Sequence, residues 1–184
     1  MKILHICSHY NNYKDNISPF IRSQGNSLKK KGLDINYFTI KNKGFLGLLK
    51  NIVYLKNYTS KSRYDIIHTH GHASLLLPFV QSGSKFISYM GNEIVGDYNF
   101  SGKVTFISLF KSFLTRFMSY FADCVIVKSQ SMLDVFPNHS EKKFRILPNG
   151  VNTKNFRPLN KNKVRSRLNL DFNYKLVLFG ASRK

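Results

Sequence analysis

At 184 residues the chain suits one domain of ordinary size, long enough to bury its own core. Lys and Arg number 29 against 9 Asp and Glu, a formal charge of +20 that favours a polyanionic neighbour: an anionic membrane face, nucleic acid or phosphorylated ligands. The two cysteines, Cys7 and Cys124, sit in apolar runs, which argues against a disulfide-built fold and for buried, reduced thiols. The opening residues turn polar too soon for a signal peptide. No apolar run approaches the roughly 18–20 residues of a spanning helix. The expectation is a soluble, cytosolic protein whose basic surface invites contact with the inner face of the plasma membrane.

Lys2 to Ser8 is a compact apolar run, the pattern of a buried parallel strand. A polar loop, His9 to Asn16, follows. Ser18-Pro19 opens a helix with proline at its first position, and Gly32 stops it. Asp34 to Ile40 is a second strand. Phe45 to Tyr58 is an amphipathic helix, with Leu48, Leu49, Ile52, Val53 and Leu55 set against Lys50, Asn51 and Lys56. Tyr64 to His70 is a third strand, ended by Gly71, and Ala73 to Val80 a short helix bent by Pro78.

Lys85 to Met90 is a fourth strand closing on Gly91-Asn92-Glu93, and Val95 to Lys103 reads as a loop. Over Val104 to Phe121 phenylalanines and aliphatics repeat at helical spacing, while Lys111, Ser112, Thr115, Arg116 and Ser119 take the other side. That pattern assigns the aromatic side to the core, and leaves Phe45 to Tyr58 as the better membrane-surface helix, or equally an ordinary surface helix of a basic protein. Asp123 to Val127 is a fifth strand, Ser129 an N-cap for a helix to Phe136, and Phe144 to Leu147 a sixth strand.

Pro148-Asn149-Gly150 sets a turn, with Gly150 expected at positive φ, and an extended passage runs to Pro158. A basic helix, Lys161 to Leu170, leads to Tyr174 to Gly180, which reads as the first strand of a new α/β unit. Six strands alternating with helices predict an α/β fold with a doubly wound parallel sheet over residues 1–158. Residues 159–184 would carry a linker helix and the start of a second domain, so a fragment or a truncated reading frame is expected.

Ligands of such sheets bind beyond the carboxyl ends of the strands. That rule selects His9 to Asn16, His70-Gly71, Gly91 to Glu93, Lys128-Ser129 and Asn149-Gly150. Gly91 permits close backbone approach beside Asn92, and Glu93 is suited to bind hydroxyls; the plainer alternative is a strand-end turn with an exposed acid. His68 and His70 point to one side of a strand, a spacing that suits zinc, but no carboxylate or cysteine cluster nearby supports a metal, and none is expected. Ser129 caps a helix whose amino end suits an anion. Arg183 and Lys184 are cations suited to an anionic ligand, or form a frayed terminus.

Five segments carry a family resemblance, in order. They are Phe20-Ile21-Arg22-Ser23-Gln24 with Leu28 to Gly32; Tyr64 to Gly71; Ser88 to Glu93; Ala122 to Ser129; and Ile146 to Asn152 with Phe156 and Pro158. Together they resemble the amino-terminal half of a nucleotide-sugar-dependent, retaining glycosyltransferase of family 4, with the two-domain GT-B architecture. The resemblance implies a nucleotide-sugar donor, a lipid-linked or saccharide acceptor, no cofactor and no metal, and a role in surface polysaccharide biosynthesis. It makes Glu93 the catalytic candidate and places His70, Gly91, Asn92, Ser129, Asn149 and Gly150 along the acceptor cleft. Arg183 and Lys184 fall where the family puts cations on the donor diphosphate. Met90 stands where many members have histidine, and Glu93 where many have aspartate. The residues 1–184 alone are expected to be inactive.

Two other readings compete. A basic module that binds nucleic acid or another anionic surface without catalysis rests on the charge alone, and no nucleic-acid motif supports it, so no nucleic-acid partner is expected. A dinucleotide enzyme would need a G-x-G-x-x-G after the first strand, which is absent.

Overall fold

The structure is a computed structural model that describes residues 1–9, 15–41, 44–81, 83–97, 101–136 and 140–178. It divides into two compact units, Met1–Asn149 and Gly150–Lys184. The first is built on six strands: β1 (Lys2–Ser8), β2 (Asp34–Ile40), β3 (Ile66–His70), β4 (Ser84–Ser88), β5 (Cys124–Val127) and β6 (Phe144–Ile146). They pair in the order β2-β1-β3-β4-β5-β6, every pair parallel. Parallel pairing needs crossovers, and here these are α1 (Pro19–Lys29), α2 (Gly44–Ser60), a 3₁₀ helix over Gly71–Phe79, and α3 (Asn92–Val95) with α4 (Phe106–Phe117). A second 3₁₀ turn, Met118–Phe121, and the single turn α5 (Gln130–Leu133) complete the unit. The predicted doubly wound sheet is present.

Alternation along each strand sorts the residues onto two faces. Leu4, Ile6, Ile67, Ile87, Val125 and Val127 point into the main core, where Leu55, Leu76, Leu77, Tyr89 and Ile94 meet them. The other face is unusual for a buried sheet, because His5, His68, His70 and Ser88 lie on it and are buried. Cys7, Ile17 and Ile21 form a smaller apolar cluster there with Tyr37. Both cysteines are free; Cys7 is buried, whereas Cys124 is only partly so.

Several expectations are corrected. Residues 71–79 form a 3₁₀ rather than an α-helix, with Pro78 inside it. The stretch read as a loop from Val95 is preceded by a helical turn, α3, closed by Gly96 at φ +98°. In α2 the apolar side is buried only in part: Leu55 lies in the core with Leu48 and Ile52 packed against it, but three residues depart from the pattern. Asn51 is fully buried, donating from Nδ2 to the Gly47 carbonyl (2.7 Å) and accepting from the Lys41 backbone N–H (3.2 Å), while Leu49 and Val53 are exposed. An amide that can satisfy the backbone at a strand end outweighs the aliphatic count.

In α4 the pattern is inverted. Ser112, Thr115 and Ser119 are buried and the phenylalanines face outward. The polar face wins because it has partners. Tyr89 donates its hydroxyl to the Thr115 carbonyl (2.6 Å), His72 Nδ1 lies 2.9 Å from Thr115 Oγ1, and the Asp97 backbone N–H donates to Ser108 Oγ (2.6 Å).

In the second unit α6 (Lys161–Arg167) starts at Asn160, whose side chain accepts from the Lys163 N–H (3.1 Å). Arg165 is buried there and donates to the carbonyls of Asp171 and Tyr174. The strand expected over 174–180 is not found in its described part: residues 175–178 pair with no neighbour among the described residues, and a parallel strand exists only through its neighbours. Phe179 and Gly180 lie outside the described residues. Gly150 does not take positive φ, because residues 147–152 run without a hydrogen-bonded reversal.

Two glycines separate backbone strain from crowding. Gly32 (φ +83°) has open space where a Cβ would sit, but at Gly83 (φ +82°) that Cβ would lie 2.5 Å from the Tyr64 carbonyl oxygen. Gly32→Ala is expected to cost about 1–2 kcal/mol from the left-handed backbone alone. Gly83→Ala adds a clash with rigid backbone and is expected to cost about 2–4 kcal/mol in total. Urea unfolding of both variants checks the ordering.

Candidate functional site

The carboxyl ends of β3, β4 and β5 gather most of the polar groups that the sequence singled out. After β4 the chain turns at Gly91 (φ +148°), a conformation that favours glycine, and enters α3. This turn brings Glu93 back onto the strand end: its Oε1 accepts the Met90 backbone N–H. Glu93 is buried, and Gly71 at the end of β3 faces it, since a Cβ at Gly71 would lie 3.6 Å from the Glu93 carboxyl carbon. Asn92 donates its side-chain amide to Asp97 (3.2 Å). Glu93 is thus a fixed carboxylate, not a free surface acid.

Lys128, directly after β5, completes the group. Its Nζ donates to the Leu147 carbonyl (3.3 Å), tying the end of β5 to that of β6. Partial burial lowers its pKa, and the Glu93 carboxylate opposes that shift. The strand-end rule selects Lys128 together with Ser129, as a cation immediately after the last buried strand residue, but the sequence gives no sign of its tie to Leu147. Ser129 caps α5, accepting from the Met132 N–H (3.4 Å) and sharing a hydrogen bond with Ser131 (2.9 Å). Asn149 and Gly150 are exposed at the junction of the two units. Arg183 and Lys184 lie outside the described residues.

His70 does not present its ring to solvent. It is buried under the strand end with Nε2 2.8 Å from His5 Nδ1, and His68 Nε2 sits 2.8 Å from Ser88 Oγ. Register explains the meeting: His5 pairs with His68 across β1 and β3, and Tyr37 lies across β1 and β2 from His5. His5 could not be foreseen as their neighbour, because sequence periodicity gives faces but not register.

The ring nitrogens of His5, His68 and His70 lie within 4.8 Å of one another, close enough to consider a metal. Two of them are already engaged with each other, and at 2.8 Å they stand closer than about 3.3 Å, the separation of two nitrogens on a tetrahedral zinc at ~2.0–2.1 Å. The arrangement fits a hydrogen-bonded network of neutral imidazoles better than a ligand set. A separate depression lined by Tyr37, Lys41, Asn51 and Tyr54 lies at the outer β2 edge of the sheet, away from Glu93.

Burial depresses all three histidines, His5 from 6.5 to about 4, while His68 and His70 are lowered further by their charged neighbours when these protonate, and by Lys128. Folded-state values below the unfolded one mean that stability is fully present above pH about 6.5 and lost as pH falls toward 4. His5 alone is expected to account for about 3 kcal/mol between pH 7 and 4. Urea unfolding at both pH values should show His5→Leu losing about that much less than the unmodified chain; equal losses would contradict the neutral network.

Comparison with known proteins bears on the family and the fold. Residues 22–155 match the model of Glycosyltransferase Family 4. No curated protein matches in sequence. Among solved structures, sucrose-phosphate synthase from Thermosynechococcus elongatus superposes with a TM-score of 0.71 at 19% identity, over 94% of this chain and 54% of that one. A second structure of the same synthase gives 0.56 at 19% identity, over 83% and 91%. The chain therefore spans about half the length of the first synthase structure, and at this identity the likeness is one of fold. With the family match covering most of its length, the chain belongs to glycosyltransferase family 4 and has the α/β, Rossmann-like fold of a GT-B amino-terminal domain.

Proposed function

We propose that this chain is the acceptor-side domain of a retaining glycosyltransferase that moves a hexose from a nucleotide-sugar donor to a lipid-linked or saccharide acceptor. The setting is surface polysaccharide assembly at the inner face of the plasma membrane. The observation that carries this reading is the fixed carboxylate of Glu93, held at the end of β4 by the Met90 N–H and faced by Gly71, within a family-4 domain.

Chemically, the transfer forms a bond from an acceptor hydroxyl oxygen to the anomeric carbon and breaks the bond from that carbon to the diphosphate. The hydroxyl loses a proton and the nucleoside diphosphate leaves. In this reading Glu93 binds the acceptor hydroxyl, where a carboxylate strengthens the nucleophile by accepting its hydrogen bond. The glycines at 71 and 91 leave room for a sugar ring to approach backbone. Lys128 balances the carboxylate charge. His70 acts from beneath, positioning the β3 end through His5. Ser129, Asn149 and Gly150 border the acceptor. The donor diphosphate is met by protein cations, Arg183 and Lys184 among them, with no metal called upon.

The test is sugar incorporation from a panel of labelled nucleoside diphosphate sugars into lipid extracts and oligosaccharides. It compares residues 1–184 with the complete open reading frame that encodes them. Transfer is expected from the complete frame and not from residues 1–184 alone. Glu93→Gln keeps an acceptor for the Met90 N–H and is expected to lower transfer by about 100-fold. A complete frame that neither binds nor uses any nucleoside diphosphate sugar contradicts the proposal.

A further inference from the structure

Helix α4 shows solvent the side that its sequence pattern assigns to a core. Phe106, Phe110, Phe113 and Phe117 recur at three- and four-residue spacing along one face, and Tyr120 and Phe121 prolong it through the following 3₁₀ turn. All six are exposed, Phe106 at 83% and Phe113 at 57%. A monomeric protein seldom exposes an apolar patch of this kind unless something docks there.

Charge identifies the partner. At helical spacing Lys111 and Arg116 fall on opposite flanks of the aromatic face, between it and the buried face. Lys103, exposed, precedes the helix, and at the far end Lys143 donates to the Tyr120 carbonyl (3.3 Å). The nearest acid downstream, Asp123, already accepts the Lys85 backbone N–H (2.7 Å). An aromatic stripe bracketed by cations matches a surface that is apolar within and anionic at its rim. A second copy of the chain fails that match, since it would bring another net +20 against the first.

We propose that the aromatic face of α4 docks the domain onto an anionic lipid bilayer, lying in the plane of the interface. The rings enter the boundary between headgroups and acyl chains, and Lys111, Arg116 and Lys143 meet the headgroups. Among the described residues α2 exposes Leu46, Leu49, Val53 and Tyr54, a smaller and mainly aliphatic set, so the main contact moves from the helix that the sequence favoured to α4. This inference deepens the reading of a lipid-linked acceptor, because a docked domain meets such an acceptor in its own plane. Docking requires no donor, so vesicle binding and sugar transfer can fail independently.

The experiment is co-sedimentation of the 184-residue chain with vesicles of phosphatidylglycerol and phosphatidylcholine, and with vesicles of phosphatidylcholine alone. Binding is expected to anionic vesicles, weaker in high salt, and about tenfold or more weaker for Phe110→Ser/Phe113→Ser/Phe117→Ser. The substituted rings are exposed, so the thermal midpoint of that variant should not fall. Lys111→Glu/Arg116→Glu, which keeps every ring, should lose anionic binding as well and guards against misfolding of the first variant. Equal binding to both vesicle types overturns the proposal, as does anionic binding that neither variant weakens. A dimer in gel filtration that the phenylalanine variant disperses, with no vesicle binding, assigns the face to a second copy instead and also overturns it.

Discussion

The feature on which the rest depends is the pair of hydrogen bonds at Thr115. Its hydroxyl meets His72 Nδ1 (2.9 Å) and its carbonyl accepts the Tyr89 hydroxyl (2.6 Å). His72 follows β3 and Tyr89 follows β4, so one residue of α4 grips two adjacent strand ends. A third bond, from the Asp97 N–H to Ser108, ties in the segment after α3 (2.6 Å). Each such bond contributes only about 1 kcal/mol net, but leaving the buried Thr115 and Tyr89 groups unpaired would cost about 1–3 kcal/mol apiece. That asymmetry sets the rotation of α4. With its polar face committed to the strand ends, its aromatic face has nowhere to go but outward.

Two functional elements follow from this one docking. The turn carrying Gly91, Asn92 and Glu93 lies between β4 and α4, so fixing α4 also limits where that turn can go. Glu93 then folds back onto the Met90 N–H beside Gly71. On the other side of the helix the same rotation lays out six aromatic residues between flanking cations. Exposed rings neither add to nor subtract much from folding stability, since they are wet in the unfolded chain too; what they change is the tendency to associate. The proposed reaction edge and the proposed membrane face are therefore opposite sides of a single packing decision.

Much of the fold was legible in the sequence. Short apolar runs gave all six strands, β1 and β2 to the residue, and their alternation with helices gave the parallel sheet. The strand-end rule found Gly91 to Glu93 and Gly71 because glycine marks turns in any context. The same rule selected Lys128 with Ser129. His5 was not, since its contact with His70 depends on register between strands 65 residues apart. The buried side of α4 and the burial of Asn51 in α2 were misread for a common reason. Amphipathic patterning assumes that water takes the polar face, whereas Asn51 and Thr115 are held inside by specific hydrogen bonds that no count of apolar residues registers. The run at 174–178 differs: β-propensity marks residues that suit a strand, but a strand also requires a neighbour, and none pairs with it among the described residues.

The docking of α4 through its polar face is the claim from which the rest is built. Hydroxyl-radical footprinting of the unmodified chain, read by mass spectrometry, tests it most directly. Tyr89, fully buried, serves as the internal standard for a protected ring. Rapid oxidation of Phe110, Phe113 and Phe117 beside a protected Tyr89 is the predicted result. Protection of those phenylalanines to the level of Tyr89, in dilute protein without lipid, would show that α4 packs with its aromatic side inward and would contradict the account.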